Sequence, residues 1–122
     1  MADYTARRIG DMEGFYKGLF RKARDEIGAK SFGLAVIELE PNADNHPDQE
    51  EVYVVLRGSG ELLVDGEAVP LDAETIVRVG PNTNRKINPG TDGMRLLAIG
   101  GVPGEAYQAP GYSDVGAPDP LA

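Results

Sequence analysis

Hydrophobic and polar positions along the chain follow two different periods. In GLFRKARDEIG, residues 18–28, the apolar residues Leu19, Phe20, Ala23 and Ile27 recur at helical spacing. Charged residues lie opposite them, and Gly28 is placed to end the helix. From residue 31 the period shortens to that of strands. SFGLAVIELEP reads as one strand closed by Pro41, and VYVVLRG as another, dense in β-branched and aromatic residues. ELLV-DG-EAVPL is the clearest local signal, because Asp65-Gly66 supplies the two central residues of a type I′ turn between two strand-like runs. ETIVRV and MRLLAIG follow, separated by GPNTNRKINPGTDG, which is rich in turn residues. Short strands at even spacing, divided by Gly, Pro, Asn and Asp, predict an all-β antiparallel sandwich or small barrel.

At 122 residues the chain fits one domain. It divides into an N-terminal arm and helix (1–30), a barrel (31–102) and an extended tail (103–122). From Gly101 to Ala122, eight of 22 residues are Gly or Pro and none is basic. Scattered apolar residues there (Tyr107, Tyr112, Val115, Leu121) suit a segment draped over the barrel or onto a neighbouring subunit. A partly disordered tail is the competing expectation.

Composition narrows the partners. Apolar residues make up 41% and charged residues 26%, a globular balance rather than a disordered one. The net charge of −8 argues against nucleic acid, where phosphate contacts supply most of the affinity. That charge is uneven: seven of the twelve basic residues lie in positions 1–30, and six acids fall between Glu38 and Glu51. A solvated helix face accounts for the basic segment, with a specific anionic partner as the alternative. The helix is too short for a membrane anchor, and there is no apolar run of about 18 residues to span a bilayer. The start MADYTARRIGD lacks the apolar centre of a secretory signal, and cysteine is absent, so a cytoplasmic protein is expected.

Candidate chemistry gathers in NADNHPDQEE, residues 42–51, which holds the only histidine, His46, five positions before Glu51. Other arrangements are weaker. Nothing around Ser31, Ser59 or Ser113 marks a nucleophile beside His46. GSG at 58–60 is a strand corner, with no helix after it to make a phosphate loop. Glu50 and Glu51 alternate faces on a strand, so they cannot act as an acid and base pair on one substrate.

The strand order and the stretch EEVYVVLRGSGELLVDGE together resemble the cupin superfamily, small β-barrels of the jelly-roll kind. The first motif of that family is a Gly, five residues, His-any-His, three or four residues, Glu, six residues and Gly. Here His46 stands at the second His, Glu51 at the Glu and Gly58 at the final Gly, while Asp44 replaces the first His and Glu38 the leading Gly. The second motif is Pro-any-Gly, two residues, His, three residues, Asn. Asn88 matches its last position, Asn84 occupies the His position, and Val79 and Pro81 stand where the Pro and Gly would be. The resemblance covers about residues 31 to 102 and implies a cupin-like antiparallel barrel with a short N-terminal helix and an extended Gly/Pro-rich tail.

Metal-dependent cupins hold their ion with three histidines and one glutamate, since imidazole suits first-row metals and the carboxylate supplies charge. With two of those histidines replaced, the resemblance implies a small-molecule-binding protein with a degenerate, metal-free site. An altered site of Asp44, His46, Glu51 and Asn84 is the alternative. It would be oxygen-rich, favour a divalent ion such as Mn, and serve an oxygenase or isomerase type of enzyme. A non-catalytic dimerisation module is the third reading. For the pocket, strand alternation from Glu51 points Tyr53 and Val55 inward, and alternation from Asn84 points Lys86 and Asn88 inward. The expected pocket is therefore His46, Glu51, Tyr53, Asn84 and Lys86. A homodimer is expected from the apolar residues of 19–27 and of the tail.

Overall fold

The strand-like runs pair into one antiparallel sheet that wraps around its own apolar face. The computed structural model describes residues 2–39 and 49–108. After a 3₁₀ turn at Ile9–Asp11 come β1 (Gly14–Phe15), β2 (Phe20–Arg21), α1 (Ala23–Ile27), β3 (Gly33–Leu39), β4 (Glu50–Val64), β5 (Glu67–Leu71), β6 (Ile76–Val79) and β7 (Arg85–Gly101). The strand order is β1-β2-β3-β7-β4-β5, with β6 also paired to β4. The two long strands β4 and β7 run antiparallel from the Glu50–Gly101 pair to the Val64–Arg85 pair. The shorter strands β6 and β5 attach to successive halves of β4. This is the all-β, jelly-roll type of architecture expected from the sequence.

Local chemistry explains the turns. Asp65 and Gly66 both take positive φ, 48° and 86°, as the type I′ turn joining β4 to β5 requires. Gly28 ends α1 in the left-handed conformation at φ 75°. The helix itself is shorter than its periodicity suggested. Tyr16, Lys17 and Gly18 all have positive φ and turn the chain into a small hairpin. Phe20 and Arg21 are thereby placed in β2, opposite Ile37 and Val36. A five-residue helix cannot hold itself together by its own hydrogen bonds, so packing stabilises it. Ala23 and Ile27 sit on the outer face of the sheet with Met12, Val36, Leu34 and Leu97. Ala23 and Ile27 are therefore packed within the chain, while Leu19 and Phe20 are half-buried. The homodimer expectation also invoked the tail, of which residues 109–122 lie outside the described residues.

The other face of the sheet builds the main core from Leu39, Tyr53, Val55, Leu62, Leu71, Val79, Ile87, Met94, Leu96 and Ala98. Cross-strand pairs show the alternation directly. Tyr53 stands opposite Ala98 and Leu62 opposite Ile87, and all four are buried. A large aliphatic side chain such as Leu62 or Ile87, removed from water, contributes on the order of 1.5–3 kcal/mol.

One irregularity governs which side chains reach which face. Val55 pairs with Leu96, but the next pair is Arg57 with Arg95, so Leu56 has no counterpart and forms a bulge. Without it, period-2 alternation would carry Arg57 inward two residues after Val55; with it, Arg57 turns to the outer face. Just beyond, Gly58 takes φ 83° and lies so close to β7 that a β-carbon would come within 2.4 Å of the Gly93 carbonyl oxygen. Glycine is required there on both counts.

The start of the tail returns to the barrel. The ring of Tyr107 lies under the Arg24 guanidinium, 4.8 Å from it, and against Gly33, where a β-carbon would meet the phenol oxygen at 2.6 Å. Part of the draped-segment expectation is thus met by Tyr107.

Candidate functional site

Three polar side chains meet on the inner face of the sheet. Glu51 and Tyr53 are two residues apart on β4 and point the same way. The Tyr53 hydroxyl donates a short hydrogen bond to Oε1 of Glu51. Arg85, at the start of β7, lies with Nη1 3.5 Å from that same Oε1. The Arg85 side chain is fully buried, and the Glu51 side chain keeps 13% of its surface exposed.

Main-chain acceptors hold Arg85 in place. Its Nη2 donates to the Gly80 carbonyl at 2.5 Å, and its Nε to the Thr83 carbonyl at 3.2 Å. These carbonyls belong to the turn between β6 and β7, so the arginine also ties that turn to the barrel. Its Nη1 is buried with no hydrogen bond among the described residues and lies at ion-pair distance from the Glu51 oxygen. The three groups carry the charge of one ion pair and one neutral phenol. Burial first, then the Glu51 carboxylate, holds the Tyr53 hydroxyl well above its usual range, with Arg85 pulling the other way. The phenol is therefore a fixed donor to Glu51, and the solvent-facing part of that carboxylate is the group a visiting molecule would meet.

The expected site residues divide. Glu51 and Tyr53 do come together, and Tyr53 is inward as strand alternation required. Asn84 and Lys86 do not join them. Asn84 is exposed and lies just before β7. Lys86, half-buried, stands opposite Leu63, in the row between the inward pairs Val64–Arg85 and Leu62–Ile87. Asn88, opposite Glu61, shares the row of Lys86 rather than the inward one. The physical reason is a one-residue difference in phase, which moves every side chain of a strand to the other face. Arg85 is the inward residue that the motif spacing missed. The signal lay in Ile87, the one apolar residue of NRKIN: placing it in the core brings Arg85 inward with it. Asp44 and His46 lie outside the described residues.

Of the residues expected for an altered metal site, Asp44, His46, Glu51 and Asn84, only Glu51 and Asn84 lie among the described residues. Asn84 is exposed and lies outside β7, and Oε1 of Glu51 already accepts a hydrogen bond from Tyr53 and faces the Arg85 guanidinium. A guanidinium at 3.5 Å opposes a second cation at the same carboxylate. Among the described residues, no group of three or more metal-binding side chains converges.

Comparison with known proteins agrees with this architecture. A family model described as the cupin domain matches residues 34–100. A search of curated proteins finds no match. Among solved structures, a cupin protein from Bacteroides fragilis is similar over 90% of this chain and 93% of its own, with 22% identity and a TM-score of 0.67. A Cupin 2 conserved barrel domain protein from Salinispora arenicola matches over 57% of this chain and 62% of its own, at 22% identity and a TM-score of 0.53. A putative sugar phosphate isomerase from Acidithiobacillus ferrooxidans is 26% identical over 66% of this chain, with a TM-score of 0.57. This chain spans only 56% of that protein's length.

Proposed function

For a chain that belongs to the cupin domain family, we propose a small-molecule-binding role at a metal-free site in the barrel, centred on Glu51. The observation that carries this reading is the Arg85–Glu51 pair. A carboxylate at the position that cupins give to a metal ligand has, in this chain, a built-in guanidinium as its cation. Arginine keeps its charge at any pH the protein will meet and cannot dissociate, so the carboxylate stays neutralised without an ion. Tyr53 fixes the rotation of the carboxylate from the other side. The solvent-facing side of the carboxylate suits a hydrogen-bond donor on the ligand, a hydroxyl, an amine or an amide, with the apolar lining of the barrel supplying contact area. In this arrangement Tyr53 acts through Glu51 rather than on the ligand.

Elemental analysis of the purified protein followed by metal titration tests the proposal. Substoichiometric transition metal is expected, with no saturable stabilisation of the fold by Mn, Fe, Ni or Zn. Near-stoichiometric metal that survives exhaustive dialysis and is lost on His46→Ala overturns it, in favour of a metal-dependent cupin enzyme. For ligand binding, a thermal-shift screen of small polar molecules should give hits that Glu51→Gln weakens. Hits that Glu51→Gln leaves unchanged would place binding elsewhere.

A further inference from the structure

The outer face of the sheet holds a second charged cluster, unrelated to Glu51. Glu38 on β3, Arg95 on β7 and Arg57 on β4 stand side by side across three neighbouring strands, in the pairs Glu38–Arg95 and Arg57–Arg95. Arg21 joins from β2, opposite Val36 and therefore diagonal to Glu38 on the same face. All three arginines reach one carboxylate. Arg95 Nε donates a short bond to Oε1 of Glu38, Arg57 Nη2 lies 2.9 Å from Oε2, and Arg21 Nη1 lies 3.5 Å from Oε1. Among the described residues, three positive charges against one negative leave a net +2 in a chain whose total is −8.

Such a surplus is not what a structural ion pair needs. Two arginines placed directly opposite on adjacent strands repel each other, and one carboxylate cannot offset three guanidiniums. Arg21 adds to the imbalance: its Nε and Nη1 are buried and have no hydrogen bond among the described residues. Arg57 owes its place in this row to the bulge at Leu56, and its side chain is 67% exposed. Free guanidinium N–H groups on Arg57 thus face solvent directly above the excess charge. Arginine forks match the paired oxygens of phosphate and carboxylate, which makes such a cluster selective for oxyanions over chloride.

We propose that Arg21, Arg57 and Arg95 form a binding site for a dianionic oxyanion of the phosphate class, on the face of the sheet opposite Glu51. Arg57 and Arg95 contact the anion, and Arg21 supplies charge from beneath. Glu38 orients the three guanidiniums and at the same time competes with the ligand for their N–H groups. The site stands whether or not the Glu51 site binds a ligand.

The test is titration of the full chain with inorganic phosphate at constant ionic strength, at a pH where phosphate is a dianion. Calorimetry or the phosphorus NMR shift reads the binding. Saturable binding is expected, with sulfate competing and chloride not. Arg57→Ala alters an exposed residue and should leave the fold intact while weakening phosphate by about tenfold, as for loss of one charge-assisted contact. Glu38→Gln separates a binding role from a structural one. Removing the competitor should tighten phosphate even though it loosens the cluster; if that variant is too unstable, Glu38→Asp, which withdraws the carboxylate, should tighten it more weakly. Absence of saturable binding at millimolar phosphate, or equal affinity in Arg57→Ala, overturns the proposal.

Discussion

Arg85 and Glu51 face each other inside the barrel from two different strands, and each leaves the other with a partner that burial makes hard to replace. Removing one member of such a pair strands the other charge away from water, which costs about 3–5 kcal/mol where burial is complete. Glu51 keeps some exposure, so the lower end applies. Arg85→Met is expected to destabilise the fold by about 3 kcal/mol. Arg85→Met combined with Glu51→Gln should lose less than the sum of the two single changes, with a coupling on the order of 1–3 kcal/mol. Urea unfolding of the four proteins in the cycle measures it, and strict additivity would show that the pair does not interact.

Tyr53 predicts a sign for alkaline stability. Its hydroxyl is held above the usual tyrosine range by burial and by Glu51, so the folded state keeps that proton when the unfolded state has lost it. Stability from this group is fully present below about pH 10, the ordinary tyrosine value, and falls as pH rises above it. In an absorbance titration, one of the five tyrosines should fail to ionise until the protein unfolds. Tyr53→Phe should remove that step and flatten the alkaline limb of the stability curve. Complete ionisation of all five in the folded protein would contradict the buried, Glu51-bound phenol.

Gly58→Ala should be among the most damaging single-methyl changes in the chain. Its β-carbon would collide with the Gly93 carbonyl, and its φ of 83° is unfavourable for any L side chain. A loss of about 2 kcal/mol or more in chemical unfolding is expected, from strain in the left-handed region with overpacking added. Gly66→Ala offers the control, because Gly66 also has positive φ yet meets nothing within 4 Å. It should be milder, and equal losses at both sites would show that the close approach to β7 adds nothing.

Tyr107 fastens the start of the tail through its ring beneath Arg24. Tyr107→Ala should weaken the fold by about 0.5–1 kcal/mol, the usual worth of a partly exposed cation–π contact. Hydrogen exchange in α1 should quicken in step, since that helix relies on packing. No change in α1 would mean that the tail contact is incidental to it.

The sequence was most legible where a local rule and burial agreed. Asp65-Gly66 specified its turn because a pair of residues that both tolerate positive φ closes two strands at the twist of a type I′ turn. Glu51 and Tyr53 could be placed on one face because no irregularity intervenes between them. The failures have equally local causes. Leu19 and Phe20 fit a helical stripe, but three consecutive positive-φ residues redirected them into a hairpin that periodicity does not register. Asn84 was placed by motif spacing, whereas the core position of Ile87 set the phase of β7 and brought Arg85 inward instead. The cluster around Glu38 could not be read at all, because it joins four strands far apart in sequence and depends on an unpaired residue at position 56.

That unpaired residue makes strand length a variable of its own. On either side of Leu56, β4 displays Tyr53 toward the core and Arg57 toward solvent, four positions apart, where a regular strand would show both on one side. Pairing Leu56 in regular register, with no residue removed, would exchange the two surfaces for everything downstream and drive a guanidinium into the core, whereas deleting Leu56 would leave Arg57 outward, opposite Arg95. Relatives that share every residue type around positions 53 to 57 but lack the bulge would therefore present different chemistry. An alignment that forces the segment to run without a gap would match Arg57 to an inward residue. Counting residues between Glu51 and Gly58 tells more about what such a barrel shows to the outside than comparing their identities.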